Sequence, residues 1–310
     1  MPPGFCILTL HGAYGCHEIL STPFRILRKA DIDNGSEVNQ RQFMQHPADR
    51  TNHRTTAGRP SELAADDRID FGFQTVERTA KVGLVRGVFD SVASHYDVMN
   101  DVMSGGVHRL WKSAMIDWMA PQPDQHLVDL AGGTGDISLR FLKAGGGSAC
   151  VTDINQAMLQ AGQQRPELQR HAAELSWCVG NAEALPLASK TADFVTIAFG
   201  LRNVTNRQAA LDEAYRILKP GGRFLCLEFS HVQSQPLAKL YDAWSFNLLP
   251  LMGQVIAGDA ASYRYLVESI RQFPSKEVLA DMFAAAGFAQ IRTRSLSAGI
   301  ACIHSGWRLD

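Results

Sequence analysis

The sequence predicts an α/β protein with a doubly wound, mostly parallel sheet of seven strands behind a helical N-terminal lid. Two observations carry this. After Pro121, short apolar runs alternate with helical segments, the rhythm of βαβ units around a parallel sheet. The run Leu127 to Leu130 leads straight into a glycine turn that opens a helix, and open α/β sheets bind ligands at such strand ends. Length sets the scale: 310 residues with 45% hydrophobic content bury one large core, which favours one domain with extensions over two full domains.

In chain order, residues 1 to 70 read as an N-terminal arm. From about Asn34 to Asp70 the chain is rich in Asn, Gln, Asp, Arg, Thr and Pro, and too poor in large apolar residues to offset its ordering entropy by burial. Residues 1 to 33 show neither helical nor strand period. Met44 offers a second start, which would make the first 43 residues a start-site artefact; an N-terminal mass measurement decides it. From Phe71 to Trp118 a helical stretch is expected, with Val85, Val88, Phe89 and Val92 at offsets of three and four, then Tyr96, Met99, Leu110 and Trp111. This is the lid of a domain running from 71 to 310.

The strands are expected at Leu127 to Leu130, Ala149 to Thr152, Leu175 to Val179, Phe194 to Ala198 and Arg223 to Phe229, the last introduced by Lys219-Pro220-Gly221-Gly222. Between them, a helix from about Gln156 closes near Pro166. Residues 236 to 272 form a helical, aromatic insertion. A helix from Lys276 to Ala286 stops at Gly287, and two strands near 288 to 295 and 299 to 304 complete the sheet.

Composition removes several classes. A net charge of -1 gives no electrostatic reason to expect nucleic acid. The six cysteines show no spacing suited to a metal and read as reduced, mostly buried small apolar side chains. No run reaches the roughly 18 apolar residues of a membrane span, and Met1 to Leu20 lacks the pattern of a secretory signal, so the cytoplasm is expected.

The chemistry concentrates at strand ends. In Val128-Asp129-Leu130-Ala131-Gly132-Gly133-Thr134-Gly135-Asp136, Gly133 and Gly135 permit positive φ and remove Cβ atoms that would hold a ligand off the backbone. A dinucleotide fingerprint counted from Gly133 requires glycine or alanine at 138, where the chain has Ser138, so a pyrophosphate is disfavoured. Asp153, at the end of the next strand, suits both hydroxyls of a ribose; alternatively it or Asn155 caps the following helix. Asn181 and Ala182 offer a carbonyl and a backbone N–H that match an adenine edge, or else form an Asn turn.

The order of glycine turn, acidic strand end, Asn-Ala loop and Leu218-Lys219-Pro220-Gly221-Gly222 resembles the class I S-adenosylmethionine-dependent methyltransferases. The resemblance narrows with Phe199-Gly200-Leu201-Arg202-Asn203-Val204-Thr205, with Tyr96-Asp97-Val98-Met99-Asn100-Asp101 and with His108-Arg109-Leu110-Trp111-Lys112. These look like the ubiquinone/menaquinone biosynthesis C-methyltransferase family across residues 71 to 310. That resemblance implies a Rossmann-like sheet with an antiparallel C-terminal strand. It implies S-adenosyl-L-methionine as methyl donor, with contacts at Thr134, Asp153, Asn181 and Ala182 flanked by Gly133 and Gly135. The family frequently has serine where this chain has Ala198, so any hydroxyl contact there is lost.

The implied acceptor is a prenylated hydroquinol, either demethylmenaquinol or a 2-polyprenyl-6-methoxy-1,4-benzoquinol, methylated on a ring carbon. That carbon becomes nucleophilic as a ring hydroxyl loses its proton. Arg202 is expected to stabilise the developing phenolate, directly or through a water, while Asn203 orients the hydroxyl or that water. Tyr96 and His108 are secondary substrate candidates. Apolar residues of 85 to 111 and of 241 to 256, Trp244 and Phe246 among them, are expected to line a channel for the tail, where burial contributes about 0.8 kcal/mol per methylene. Expected partners are the quinol, a transient contact with the surface of the inner membrane, and a homodimer or quinone-biosynthesis complex. The rivals are a nicotinamide dehydrogenase, a methyltransferase for a small phenol or amine, and a lipid-binding protein without turnover.

Overall fold

The computed structural model describes residues 68–92, 101, 104–232 and 260–310, with positions 82, 86, 89–92 and 260–262 described by backbone only. Tyr96, the channel residues expected at 241 to 256 and residues 1 to 67 lie outside the described residues. Within them, a seven-stranded sheet is built from β3 (His126–Leu130), β4 (Ser148–Asp153), β5 (Leu175–Val179), β6 (Ala192–Ala198), β7 (Leu218–Phe229), β8 (Ala289–Leu296) and β9 (Ala301–Trp307). Their order across the sheet is β5-β4-β3-β6-β7-β9-β8, and β9 runs antiparallel to both its neighbours. The order reverses between β3 and β6, the switch point where an open sheet leaves a crevice.

Alternation along the central strands decides which helix packs where. Leu127, Phe194, Leu225 and Leu227 join one apolar cluster with Met115 and Ile116 of α2 (His108–Met119) and Phe141 of α3 (Asp136–Lys143). Their neighbours Val128, Val195, Phe224 and Cys226 point the other way and meet Leu211 and Ile217 of α6 (Arg207–Ile217) and Leu279 and Phe283 of α8 (Lys276–Ala285). Successive strand residues face opposite sides, so two-faced strands require helices on both. The last turn of α6 has no glycine to satisfy its carbonyls. Arg308 supplies the donors instead, its Nη1 bonding to the carbonyls of Tyr215 (2.8 Å), Arg216 (3.1 Å) and Leu218 (3.1 Å).

Two local expectations are corrected. Residues 68 to 77 are neither arm nor helix: β1 (Arg68–Phe71) pairs antiparallel with β2 (Gln74–Glu77), and only then does α1 (Arg78–Val92) begin. Gly72 sits at the first central position of the two-residue turn with φ +57°, a backbone glycine adopts without strain. The helix from Gln156, α4 (Gln156–Gln163), closes just before Pro166, as expected, and the proline opens a further short one, α5 (Pro166–Gln169), where its missing N–H costs nothing. Lys219-Pro220-Gly221-Gly222 lies inside β7 as an irregularity against β6: Ala192 pairs with Leu218, but Phe194 with Arg223.

Helix α2 is fixed to the sheet through Trp111. Its indole packs edge-on against Phe229 with centroids 5.8 Å apart, and its Nε1 donates to Ser297 Oγ at 2.9 Å. The four described cysteines, Cys150, Cys178, Cys226 and Cys302, are free thiols. Burial pushes the Cys302 thiol up to about 11, which keeps it protonated and unreactive.

Candidate functional site

A cavity opens at the carboxyl ends of β3, β4, β5 and β6. Two residues in its wall have an unusual backbone. Ala131 follows β3 with φ +47°, and Phe199 follows β6 with φ +59°, both in the left-handed region disfavoured for residues with a Cβ. The two turns pack against each other at Gly200, where a Cβ would come within 2.7 Å of Ala131 Cβ. Strain and close approach thus coincide where the two strands separate.

Four of the expected donor contacts line this cavity together with Gly133: Thr134, Asp153, Asn181 and Ala182. Asp153 and Asn155, open alternatives in the sequence, divide the roles between them. Asn155 caps α4, its Oδ1 accepting from the N–H groups of Ala157 (2.9 Å) and Met158 (3.3 Å). Asp153 faces the glycine turn, with Oδ2 accepting from Gly133 N at 2.9 Å and Oδ1 from Asn155 N at 2.8 Å. A carboxylate oxygen has a second lone pair, so both can still accept from a vicinal diol. Asn181 also serves two readings. Its Oδ1 accepts from Glu183 N at 3.0 Å, the expected Asn turn, while the residue remains in the cavity wall.

Gly135 does not line the cavity. It precedes α3 with φ +79°, and a Cβ there would lie 3.0 Å from the Trp177 ring, so it shapes the turn from behind.

Arg202 is the largest correction. Its side chain is sealed in the core, 2% exposed, beneath the cavity rather than in its wall. Nη1 donates to Glu228 Oε2 at 2.9 Å and to the Phe199 carbonyl at 2.6 Å, and Glu228 Oε1 accepts from Arg202 N at 3.2 Å. The guanidinium therefore braces the Phe199–Gly200 turn from below. Asn203, one residue on, does line the cavity, and Tyr265 of α7 (Ala260–Arg271) orients it by donating to its Oδ1 at 3.2 Å. Burial pushes the Tyr265 phenol up to about 12, so it stays a donor, and the Asn203 amide keeps its NH₂ for a ligand. His108 lies outside the wall: Asp101 Oδ1 holds its Nε2 at 2.9 Å, and burial, then Lys112, keep its pKa below the ordinary value.

Asp129, Lys112 and Asp136, none of which the local sequence pattern marks, also line the cavity. Asp129 is fully buried, accepting from Thr196 Oγ1 at 2.8 Å and Ser138 Oγ at 3.2 Å. Burial raises its carboxyl to about 7 against the pull of these two hydrogen bonds. The unfolded chain ionises this group near 3.8 at no cost, the folded chain only near 7. Its ionisation therefore destabilises the fold progressively from about pH 4 to 7 and fully above, by up to about 4 kcal/mol. Asp129→Asn should consequently gain stability relative to the parent at pH 8, with the gain fading at pH 5; thermal melts across that range check it. A difference that ignores pH would contradict the assignment.

The wall holds four acidic side chains, Asp129, Asp136, Asp153 and Glu183, of which Asp129 is only part-ionised near neutral pH, and one cation, Lys112. Such a balance fits a ligand of net positive charge that also carries one anionic group, as a sulfonium bearing an amino-acid tail does.

The ubiE/COQ5 methyltransferase family model matches residues 74–308. The chain is 58% identical over 240 residues to the ubiquinone/menaquinone biosynthesis C-methyltransferase UbiE of Cereibacter sphaeroides (strain ATCC 17029 / ATH 2.4.9), covering 77% of this chain and 96% of that protein. It is 56% identical over 245 residues to the protein of the same name from Acidiphilium cryptum (strain JF-5), covering 79% and 98%. Among solved structures, a SAM-dependent methyltransferase of Thermotoga maritima superposes with a TM-score of 0.51 at 20% identity, covering 72% of this chain and 99% of that one, a likeness of fold.

Proposed function

We infer the activity from the premise that this chain belongs to the ubiE/COQ5 methyltransferase family. It is an S-adenosylmethionine-dependent C-methyltransferase of quinone biosynthesis, acting on the ring of a prenylated hydroquinol: demethylmenaquinol, a 2-polyprenyl-6-methoxy-1,4-benzoquinol, or both. The observation that carries this reading is the strand-end cavity, whose acidic wall and two mutually packed turns suit a compact cationic ligand.

The donor, when bound, supplies a methyl group already activated on a sulfonium. What remains for the protein is to hold, orient and exclude water. Asp153 accepts from the ribose hydroxyls, Asn181 and Ala182 meet the base edge, and Gly133 and Thr134 lie against the amino-acid part. Asn203, fixed by Tyr265, presents its amide to the acceptor's hydroxyl and keeps it oriented. Arg202 is a positioning residue: clamped on the Phe199 carbonyl and paired with Glu228, it sets the turn that carries Asn203.

No helix among the described residues is long and apolar enough to cross a membrane. A cytoplasmic enzyme that touches the membrane surface transiently would meet an acceptor whose tail partitions there, and a homodimer or a larger quinone-biosynthesis assembly would shorten its path. The test is transfer of a labelled methyl group from S-adenosylmethionine to each reduced quinol in detergent, with and without the prenyl tail. Transfer to a tailed quinol well above its tail-free head group is expected. Equal transfer to both would move the reading to a small-phenol methyltransferase, and none to either would refute it.

A further inference from the structure

Lys112 projects from the lid helix α2 into the cavity wall, although it is 24 residues upstream of the acid it meets. It is 4% exposed, and its Nζ donates to Asp136 Oδ2 at 2.9 Å. Asp136 also accepts from Arg140 Nε at 3.3 Å. Two cations thus share one carboxylate at the first residue of α3, where the helix dipole adds further positive potential. Burial alone would raise the Asp136 carboxyl, but Lys112 and then Arg140 outweigh it and hold it down at about 2, so the acid stays ionised.

This corner therefore carries a surplus of positive charge, while Asp129, Asp153 and Glu183 make the rest of the wall acidic. An ammonium has three donors, and Asp136 uses one. Resting on the donor assignment above, we propose that Lys112 is the anchor for the donor's α-carboxylate. The lid helix is thereby held to the glycine turn through the ligand as well as through Asp136. The amino-acid end of the donor is read as a zwitterion, its carboxylate at Lys112 and its ammonium toward the acidic wall.

The test is calorimetric titration of the full-length protein and its Lys112→Met and Lys112→Arg variants. The ligands are S-adenosylhomocysteine and its decarboxylated counterpart, S-adenosyl-3-thiopropylamine. The parent should prefer the carboxylated ligand by about 10- to 100-fold. Lys112→Met should erase that preference while binding the decarboxylated ligand within about threefold of the parent, and Lys112→Arg should keep most of it. Equal loss for both ligands in Lys112→Met would make Lys112 a purely structural partner of Asp136 and overturn the proposal. So would equal affinity of the parent for the two ligands, a result that needs no variant to fold. If the parent bound neither, the donor assignment itself would fall, and this proposal with it.

Discussion

Asp153→Ala should weaken binding of S-adenosylhomocysteine by more than about 100-fold while leaving the fold intact. Two effects combine. Hydrogen bonds from a ligand to a charged group are worth about 1.5 to 3 kcal/mol each, and a ribose offers two donors to this carboxylate. The same oxygens also accept from Gly133 N and Asn155 N, so their loss frees the glycine turn that must lie against the donor. Stability should change far less, because Asn155 continues to cap α4 through its own side chain. Calorimetric titration alongside a thermal melt separates the two effects. Near-parental affinity, or a collapse of the melt without a specific loss of binding, would remove Asp153 from the donor site.

Arg202→Met should do the opposite and destabilise the chain severely. Breaking a buried ion pair leaves Glu228 charged and uncompensated in the core, at a cost of about 3 to 5 kcal/mol. For a domain of this size that corresponds to a fall of roughly 6 to 20 °C in melting temperature. Turnover should fall by roughly 100-fold as well, since the Phe199–Gly200 turn and Asn203 lose their brace and a misplacement of about 1 Å suffices for such a loss. Adding Glu228→Gln should recover part of the stability, because a neutral amide still accepts from the backbone N–H at position 202, but not the turnover. Recovery of both would reduce Arg202 to a stabilising residue, and parental stability of the single variant would deny the ion pair its place in the core.

How much of this was legible in the sequence depended on distance along the chain. The glycine turn, Asp153 and the Asn181-Ala182 loop each lie within a few residues of a strand end, so local pattern located them; β5 emerged at Leu175–Val179, as its apolar run suggested. The hairpin at 68–77 was lost because its strands are four residues each and mostly polar, leaving Gly72 as the main signal. Arg202 was misread for a different reason. Glu228, 26 residues downstream in an apolar strand, gave no hint that it would claim the guanidinium. Lys112 and Tyr265 are likewise defined by partners brought near by tertiary packing, Asp136 and Asn203, and no periodicity encodes that. Asp129 stood inside the most prominent motif and still went unassigned, because its raised pKa comes from complete burial, a property of the assembled sheet.

The most direct measurement is a crystal structure of the full chain grown with S-adenosylhomocysteine. The ribose should lie on Asp153, the adenine beside Asn181 and Ala182, and the sulfur should be directed toward Asn203. Density for the ligand at any other place, or a cavity left empty at saturating concentration, would contradict the assignment of these strand ends to the methyl donor.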